Sequence, residues 1–240
     1  MASGVKMSDT QISKRNISYY DEIADDYDAI LSKDTSNAMI RTWVCDRFIS
    51  LVKSGTVLDF GGGTGQDLAW LLRYGYRIIF CEPSSAMRDI AMERSEYELP
   101  VEVISFLDDF KTDFRTWTSQ FPFEQKVNAV LANFAVINCI PDINTLFEKL
   151  ALLVEPGGIV FALMLDYNII KKLRSNLKGT IQSFFSGNTL SFEINYNGER
   201  QQVYLHSGKA IKRAVAHEFE YNDPELFRRF GYRLIHLVRK

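Results

Sequence analysis

Two spacings of apolar residues alternate along the chain. Helical spacing comes first, in Tyr20, Ile23, Ala24 and Tyr27 with acids on the opposite face, and predicts an amphipathic cap over about 17–28. The polar start, Met1 to Ser18, is expected to fray. A second stripe, Met39, Ile40, Trp43, Val44, Phe48, Ile49 and Val52, predicts a helix from about Ser36 to Lys53 that Ser54-Gly55 ends. Short unbroken apolar runs then appear at 57–60, 76–81, 101–106, 127–132 and 159–165. Without polar alternation they suit strands covered on both faces, the mark of a parallel sheet. Between them helical spacing returns at Leu68, Leu71 and Leu72, from Ser84 or Ser85 to about Glu96, and from Ile143 to Leu153. Strands and helices in alternation predict an α/β fold with right-handed crossovers.

Beyond Asp166 the rhythm changes. A helical stretch to about Phe185, with Leu173 and Leu177 apolar, is followed by two strand-like runs at 189–196 and 201–207 around Asn197-Gly198, a strong hairpin signal. A helix over 208–218 and strands near Phe219 and at 234–238 complete the predicted sheet. No repeat or long linker interrupts the 240 residues, so one domain is expected. Its parts are a helical cap (1–55), a ligand-binding core (56–165), a helix-and-hairpin insertion acting as a lid (166–207) and a segment that completes the sheet (208–240).

Composition narrows the partners. A chain 46% hydrophobic and 24% charged is ordinary globular protein, and a net charge of -2 with a pI near 6.0 gives no basic field for nucleic acid. Cys45, Cys81 and Cys139 are odd in number and widely spaced, which reads as reduced thiols of a cytoplasmic protein and as no metal site. No window reaches membrane-spanning length and no apolar leader opens the chain. The expected partner is therefore a small molecule, with neither nucleic acid nor membrane; the oligomeric state stays open.

Candidate chemistry gathers where the first strand meets a glycine run. Val57-Leu58-Asp59-Phe60 leads into Gly61-Gly62-Gly63-Thr64-Gly65, and a helix opens shortly after. Glycines let the backbone approach a ligand closely, and the helix start aims free N–H groups at it. A nucleoside ligand lying across such strand ends also needs an acceptor for ribose hydroxyls, an adenine slot and room for the reacting group. Glu82, ending the second strand, offers a bidentate acceptor; Met87 and Leu107-Asp108 offer the slot; Asn133 and Phe134 face the reacting group.

With Asp59 to Gly65 as a first motif, Glu82-Pro83-Ser84 and Met87 as a second, and Glu155-Pro156-Gly157-Gly158 before the fifth strand, residues 56–165 resemble the core of class I S-adenosylmethionine-dependent methyltransferases. Tyr19 to Asp28 resembles the lid helix that precedes this core in small-molecule members. The resemblance implies a Rossmann-like, doubly wound, mainly parallel sheet of seven strands with an antiparallel last strand. It implies S-adenosyl-L-methionine as cofactor, S-adenosyl-L-homocysteine as product, and methyl transfer to an O or N nucleophile of a small-molecule metabolite. Asp59, Gly61, Gly62, Gly63, Thr64 and Gly65 would hold the methionine portion, Glu82 beside Pro83 the ribose, and Tyr27 or Tyr19 would close over the carboxylate. The adenine-contacting acid of the family follows the third strand directly; here Leu107, Asp108 and Asp109 compete, and Asp108 is favoured. Ala132-Asn133-Phe134-Ala135 lacks the paired prolines of amino-methylating nucleic-acid enzymes, in keeping with the charge.

A nicotinamide site is the rival for the same turn, and its G-x-G-x-x-G pattern fails: counting from Gly61, Gly62 or Gly63, the last glycine falls on Gln66, Asp67 or Leu68. An NAD-dependent oxidoreductase and a catalytically silent cofactor-binding protein are the alternative functions. A methyl on sulfonium is already activated, so a general base is needed only for an amine or hydroxyl. His206, at the end of the hairpin, is the candidate base, with a strand-pairing role as its alternative; His217 and His236 read as structural. Tyr20, Asn138, Phe184 and Tyr204 are expected in the substrate pocket.

Overall fold

The computed structural model describes residues 7–98, 103–166, 189–222, 225–227 and 231–240. Helix α1 (Asp9–Ser32) starts well before the expected cap, so the segment taken as fraying is helical from Asp9. A capping box sets this start: Ser8 Oγ accepts from Gln11 N–H at 3.3 Å while Gln11 Oε1 accepts from Ser8 N–H at 2.8 Å. Helix α2 (Ser36–Leu51) buries Ile40, Val44 and Phe48.

The chain then alternates as its spacing predicts, through β1 (Thr56–Phe60), α3 (Leu68–Arg73), β2 (Arg77–Cys81), α4 (Ser85–Glu98) and β3 (Ile104–Phe106). A short helix α5 (Asp109–Thr112) and a 3-10 turn (Phe114–Thr116) lead to β4 (Val127–Ala132). A second 3-10 turn (Val136–Cys139), α6 (Ile143–Leu153) and β5 (Val154–Leu165) follow. Past the described gap come the hairpin strands β6 (Thr189–Tyr196) and β7 (Glu199–His206), α7 (Gly208–Val215), β8 (Phe219–Tyr221), β9 (Glu225–Phe227) and β10 (Tyr232–Arg239).

The main sheet runs β3-β2-β1-β4-β5-β10-β8. Strands β1 to β5 pair in parallel, and β10 is antiparallel to β5. The edge that sequence spacing assigns to one strand is shared by two, β8 opposite 237–239 of β10 and β9 opposite 232–234. Hairpin β6-β7 forms a sheet of its own; Asn197 and Gly198 take φ of +50° and +93°, the left-handed pair that a two-residue type I′ turn requires. No helix among the described residues is long and apolar enough to cross a membrane.

Side-chain alternation sends successive residues of each buried strand to opposite faces. Leu58 and Phe60 join a cluster under α6 and α7 with Trp117, Phe147 and Val215, whereas Val57 joins the other face with Phe48, Leu71 and Phe161. Phe48 is fully buried and packs edge-on against Trp70, Tyr76 and Phe161 at centroid distances of 5.4–5.6 Å. Strand order reverses between β1 and β4, which opens a crevice at their carboxyl ends.

Candidate active site

At the carboxyl end of β1 the chain is turned by Gly61, whose N–H donates to Cys81 O at 2.7 Å. A side chain at Gly62 would place its Cβ 2.2 Å from the Phe80 ring, so only glycine fits there. Gly63 has φ +57° and donates its N–H to Glu82 Oε2 at 2.9 Å, and Ser84 N–H donates to Glu82 Oε1 at 2.8 Å. Each oxygen of this buried carboxylate thus spends one lone pair on the backbone and keeps one. Burial pushes the Glu82 pKa up to about 7, against the lowering effect of the two N–H groups and Arg88.

Asp59 lies beneath the glycines, and its Oδ2 is buried with no hydrogen-bond partner. Burial first and the neighbouring Asp67 second hold its carboxyl well above the usual range. Asp67 is fully engaged: its Oδ1 accepts from Arg41 at 2.5 Å and from Trp70 Nε1 at 2.8 Å, and its Oδ2 from Asn133 Nδ2 at 2.8 Å. Arg41 also lies over the Phe134 ring, 4.5 Å from its centroid. Phe134 and Ala135 take φ of +51° and +68°, a left-handed kink uncommon outside glycine that Ala135 N–H fixes by bonding Leu163 O at 2.9 Å.

A cavity of about 400 Å³ fills the crevice, roofed by the face of α1 that carries Thr10, Ser13, Ile17, Tyr20 and Tyr27. The Tyr27 ring covers Gly63, 3.8 Å from where a Cβ would stand. Polar side chains fasten the helix to three other elements. Asp28 accepts from Thr64 Oγ1 at 2.6 Å, Gln66 Nε2 at 2.5 Å and Arg94. Asp21 accepts from Ser84 Oγ at 2.6 Å, at the start of α4. Asn16 pairs with Gln202 of β7 as a neighbouring strand would, accepting from its N–H at 2.8 Å and donating to its carbonyl at 3.0 Å.

A sequence profile of the methyltransferase domain matches residues 36–222, most of the chain. The protein belongs to the methyltransferase family. No curated protein matches the chain in sequence. Solved structures share the fold of this methyltransferase at low identity. A DhpI–SAH complex superposes with a TM-score of 0.71 and 16% identity over 97% of this chain and 98% of that one. The Burkholderia thailandensis 1,6-didemethyltoxoflavin-N1-methyltransferase, with bound 1,6-didemethyltoxoflavin and S-adenosylhomocysteine, gives 0.68 and 12% over 100% and 93%. The glycopeptide N-methyltransferase MtfA with S-adenosylhomocysteine gives 0.60 and 16% over 82% and 88%.

In the methyltransferase, Tyr20, Tyr27, Gly61, Gly62, Gly63, Thr64, Glu82, Pro83, Met87, Asn133 and Phe134 line one cavity, with Asp59 directly under it. Gly65 stands behind, packed on Leu68 and Ala91, and Tyr19 turns away to pack with Ile23 and Met87. Leu107 enters the core. Asp108 corrects the sequence reading: it caps α5 by accepting from Lys111 N–H at 3.1 Å and lies outside the cavity, whereas the exposed Asp109 beside it reaches the cavity rim. Asn138 is a strut, donating to Tyr204 O at 2.7 Å and accepting from Leu165 N–H at 2.9 Å, and neither it nor Tyr204 lines the cavity.

His206 also stands outside the cavity and is fully buried. Its Nε2 lies 3.0 Å from Ile140 O and its Nδ1 3.3 Å from Thr189 Oγ1, so both nitrogens are taken by packing bonds. Burial lowers its pKa to about 4. A histidine so placed is a structural group rather than the expected base. Phe184 lies outside the described residues. Sequence reading passed over Arg41 and Asp67, and no local pattern marks them, since their partners lie 26 and 66 residues apart in sequence.

Proposed function

We propose that this methyltransferase transfers a methyl group from S-adenosylmethionine to an oxygen or nitrogen of a small organic molecule, and that the cavity under α1 takes both. The observation that carries this reading is Glu82, with one lone pair left on each oxygen and both directed by backbone donors. Two vicinal hydroxyls, as on ribose, are the complement of such a carboxylate. The unpartnered Asp59 Oδ2 fits a cationic amine or a bound donor beside the glycine turn, and at Gly63 the turn is open to a close approach, with only the Tyr27 ring within 4 Å of where a Cβ would stand. Arg41, at the same end of the cavity, supplies the positive charge suited to a carboxylate.

The cofactor, when bound, supplies a methyl already activated on sulfonium sulfur. The chain's work is then positioning and exclusion of water, which supply much of the rate for such a transfer. Tyr27 closes over Gly63, and α1 holds that closure through Asp28, Asp21 and Asn16. His206, fully buried away from the cavity, takes no part in this reading, which needs no base for a nucleophile that arrives ionised. Incubating the protein with methyl-labelled S-adenosylmethionine and a panel of metabolites tests the reading. It predicts label in at least one acceptor together with S-adenosylhomocysteine; cofactor binding without transfer to any acceptor favours a silent binding protein.

A further inference from the structure

Beside Tyr27, whose ring lies edge-on to that of Tyr20 at 6.2 Å, a side-chain group stands that the cofactor reading leaves unused. Tyr20 of α1, Cys139 of the second 3-10 turn and Gln201 of β7 meet there. Gln201 is buried, and its Nε2 donates to Tyr20 Oη at 2.7 Å and to Cys139 Sγ at 3.2 Å. The Cys139 thiol in turn donates to Ala135 O at 3.8 Å. Both amide hydrogens are spent and the phenol oxygen receives one of them, so the phenol proton is left over. Among the described residues its one taker is the Cys139 sulfur at 3.6 Å, a weak acceptor.

Tyr20 and Cys139 both line the cavity, whose walls include the apolar Ile17, Phe114, Val136 and Ile140. The acids on that rim are already paired, Asp113 with Arg115 at 2.7 Å and Asp109 with Arg88. The cavity therefore presents a hydroxyl donor beside apolar walls; of its other carboxylates, Asp67 is paired with Arg41 and Asn133, and Glu82 is the one given to the ribose hydroxyls. In a desolvated place a donor met only by sulfur is poorly satisfied, and a charged oxygen acceptor meets it better.

We infer that Tyr20, oriented by Gln201, selects the methyl acceptor by donating a hydrogen bond to an oxyanion on an aromatic ring, of the phenolate or carboxylate class, rather than receiving an ammonium. The inference rests on the methyltransferase reading of the cavity. Tyr20 binds and orients the acceptor; Gln201 acts through it, as a positioning residue.

The probe is 4-nitrophenolate at mildly alkaline pH, titrated into the protein saturated with S-adenosylhomocysteine, with nitrobenzene as the uncharged control. The wild type is expected to bind the phenolate about tenfold more tightly than nitrobenzene, with its visible band at shorter wavelength than that of the phenolate in an apolar solvent. Tyr20→Phe is expected to lose that preference and the band shift. Gln201→Glu is expected to lose both as well, although the phenol remains, because the new carboxylate turns the phenol proton inward. Retention of the preference and the shift in either variant, or equal binding of the two probes by the wild type, overturns the inference. Titrating S-adenosylhomocysteine into all three proteins separates the two levels of failure. If all three bind it alike and the phenolate shows no dependence on Tyr20, only the acceptor assignment falls. If the wild type does not bind it, the methyltransferase reading falls and this inference with it.

Discussion

Burial sets the chemistry of individual residues here more than charge pairing does. Glu82 has a pKa of about 7 because desolvation outweighs two backbone N–H bonds and Arg88. Hydroxyl donors from a bound ribose favour the ionised form, so the bound pKa lies lower. Affinity for S-adenosylhomocysteine should then be level above pH 7 and fall as pH drops through 7, by up to about tenfold per unit. Glu82→Ala should bind about 1–3 kcal/mol more weakly and lose this pH dependence, as calorimetry across pH 6 to 8 would read. An unchanged affinity in the folded variant would remove Glu82 from the ribose role.

His206 carries the opposite sign. Its folded pKa, about 4, lies below the ordinary 6.5, so the unfolded chain takes up a proton first. The stability it contributes is present above pH 6.5 and is lost as pH falls towards 4, by about 3 kcal/mol for a group so fully buried. In denaturant unfolding from pH 7 to pH 4, the stability of the wild type relative to His206→Gln should fall by this amount, since Glu82 and Asp59, whose raised pKa values act with the opposite sign, titrate alike in both. A difference that stays constant with pH would remove His206 as its source.

Among the elements, α1 is the one whose attachment decides access to the site. Asn16 satisfies both backbone groups of Gln202 and also donates to Cys139 O at 3.2 Å, so one amide joins the cap, the hairpin and the second 3-10 turn. Asn16→Leu leaves buried backbone groups unpaired. Hydrogen exchange at Gln202 and along the first turns of α1 should quicken about tenfold or more, with the core of the sheet unchanged. Helix α2 is held differently, by packing. Phe48→Ala empties the space between Trp70, Tyr76 and Phe161 and should cost about 3–5 kcal/mol in denaturant unfolding; a loss below about 1 kcal/mol would mean that the face collapses into the space.

For the molecule as a whole, what could be read from sequence follows the range of the interactions. The strands at 127–132 and the helix at 143–153 are written in local spacing and fall where that spacing puts them, as does the hairpin around Asn197-Gly198. The glycine turn is legible as a run in the sequence, although the contact that forces Gly62 comes from Phe80 on the adjacent strand. Helix α1 extends beyond its apolar stripe because its first turns are polar outside, and the Ser8 and Gln11 capping pair is the local signal of its start. What escaped depends on distant partners. Asp28 finds Thr64, Gln66 and Arg94 across up to 66 residues, and His206 is buried by Ile140 and Arg233, which no reading of Tyr204-Leu205-His206 reveals. Asp108 and Asp109 are told apart by which of them caps a single helical turn.

The central claim is that the cavity under α1 is a S-adenosylmethionine site rather than a dinucleotide site, and Gln66, where a dinucleotide turn needs glycine, spends its side chain on Asp28. Calorimetric titration of the wild-type protein with S-adenosylhomocysteine and, separately, with NAD addresses it most directly. The account predicts saturable binding of S-adenosylhomocysteine with one site per chain and none of NAD; binding of NAD without S-adenosylhomocysteine would contradict it.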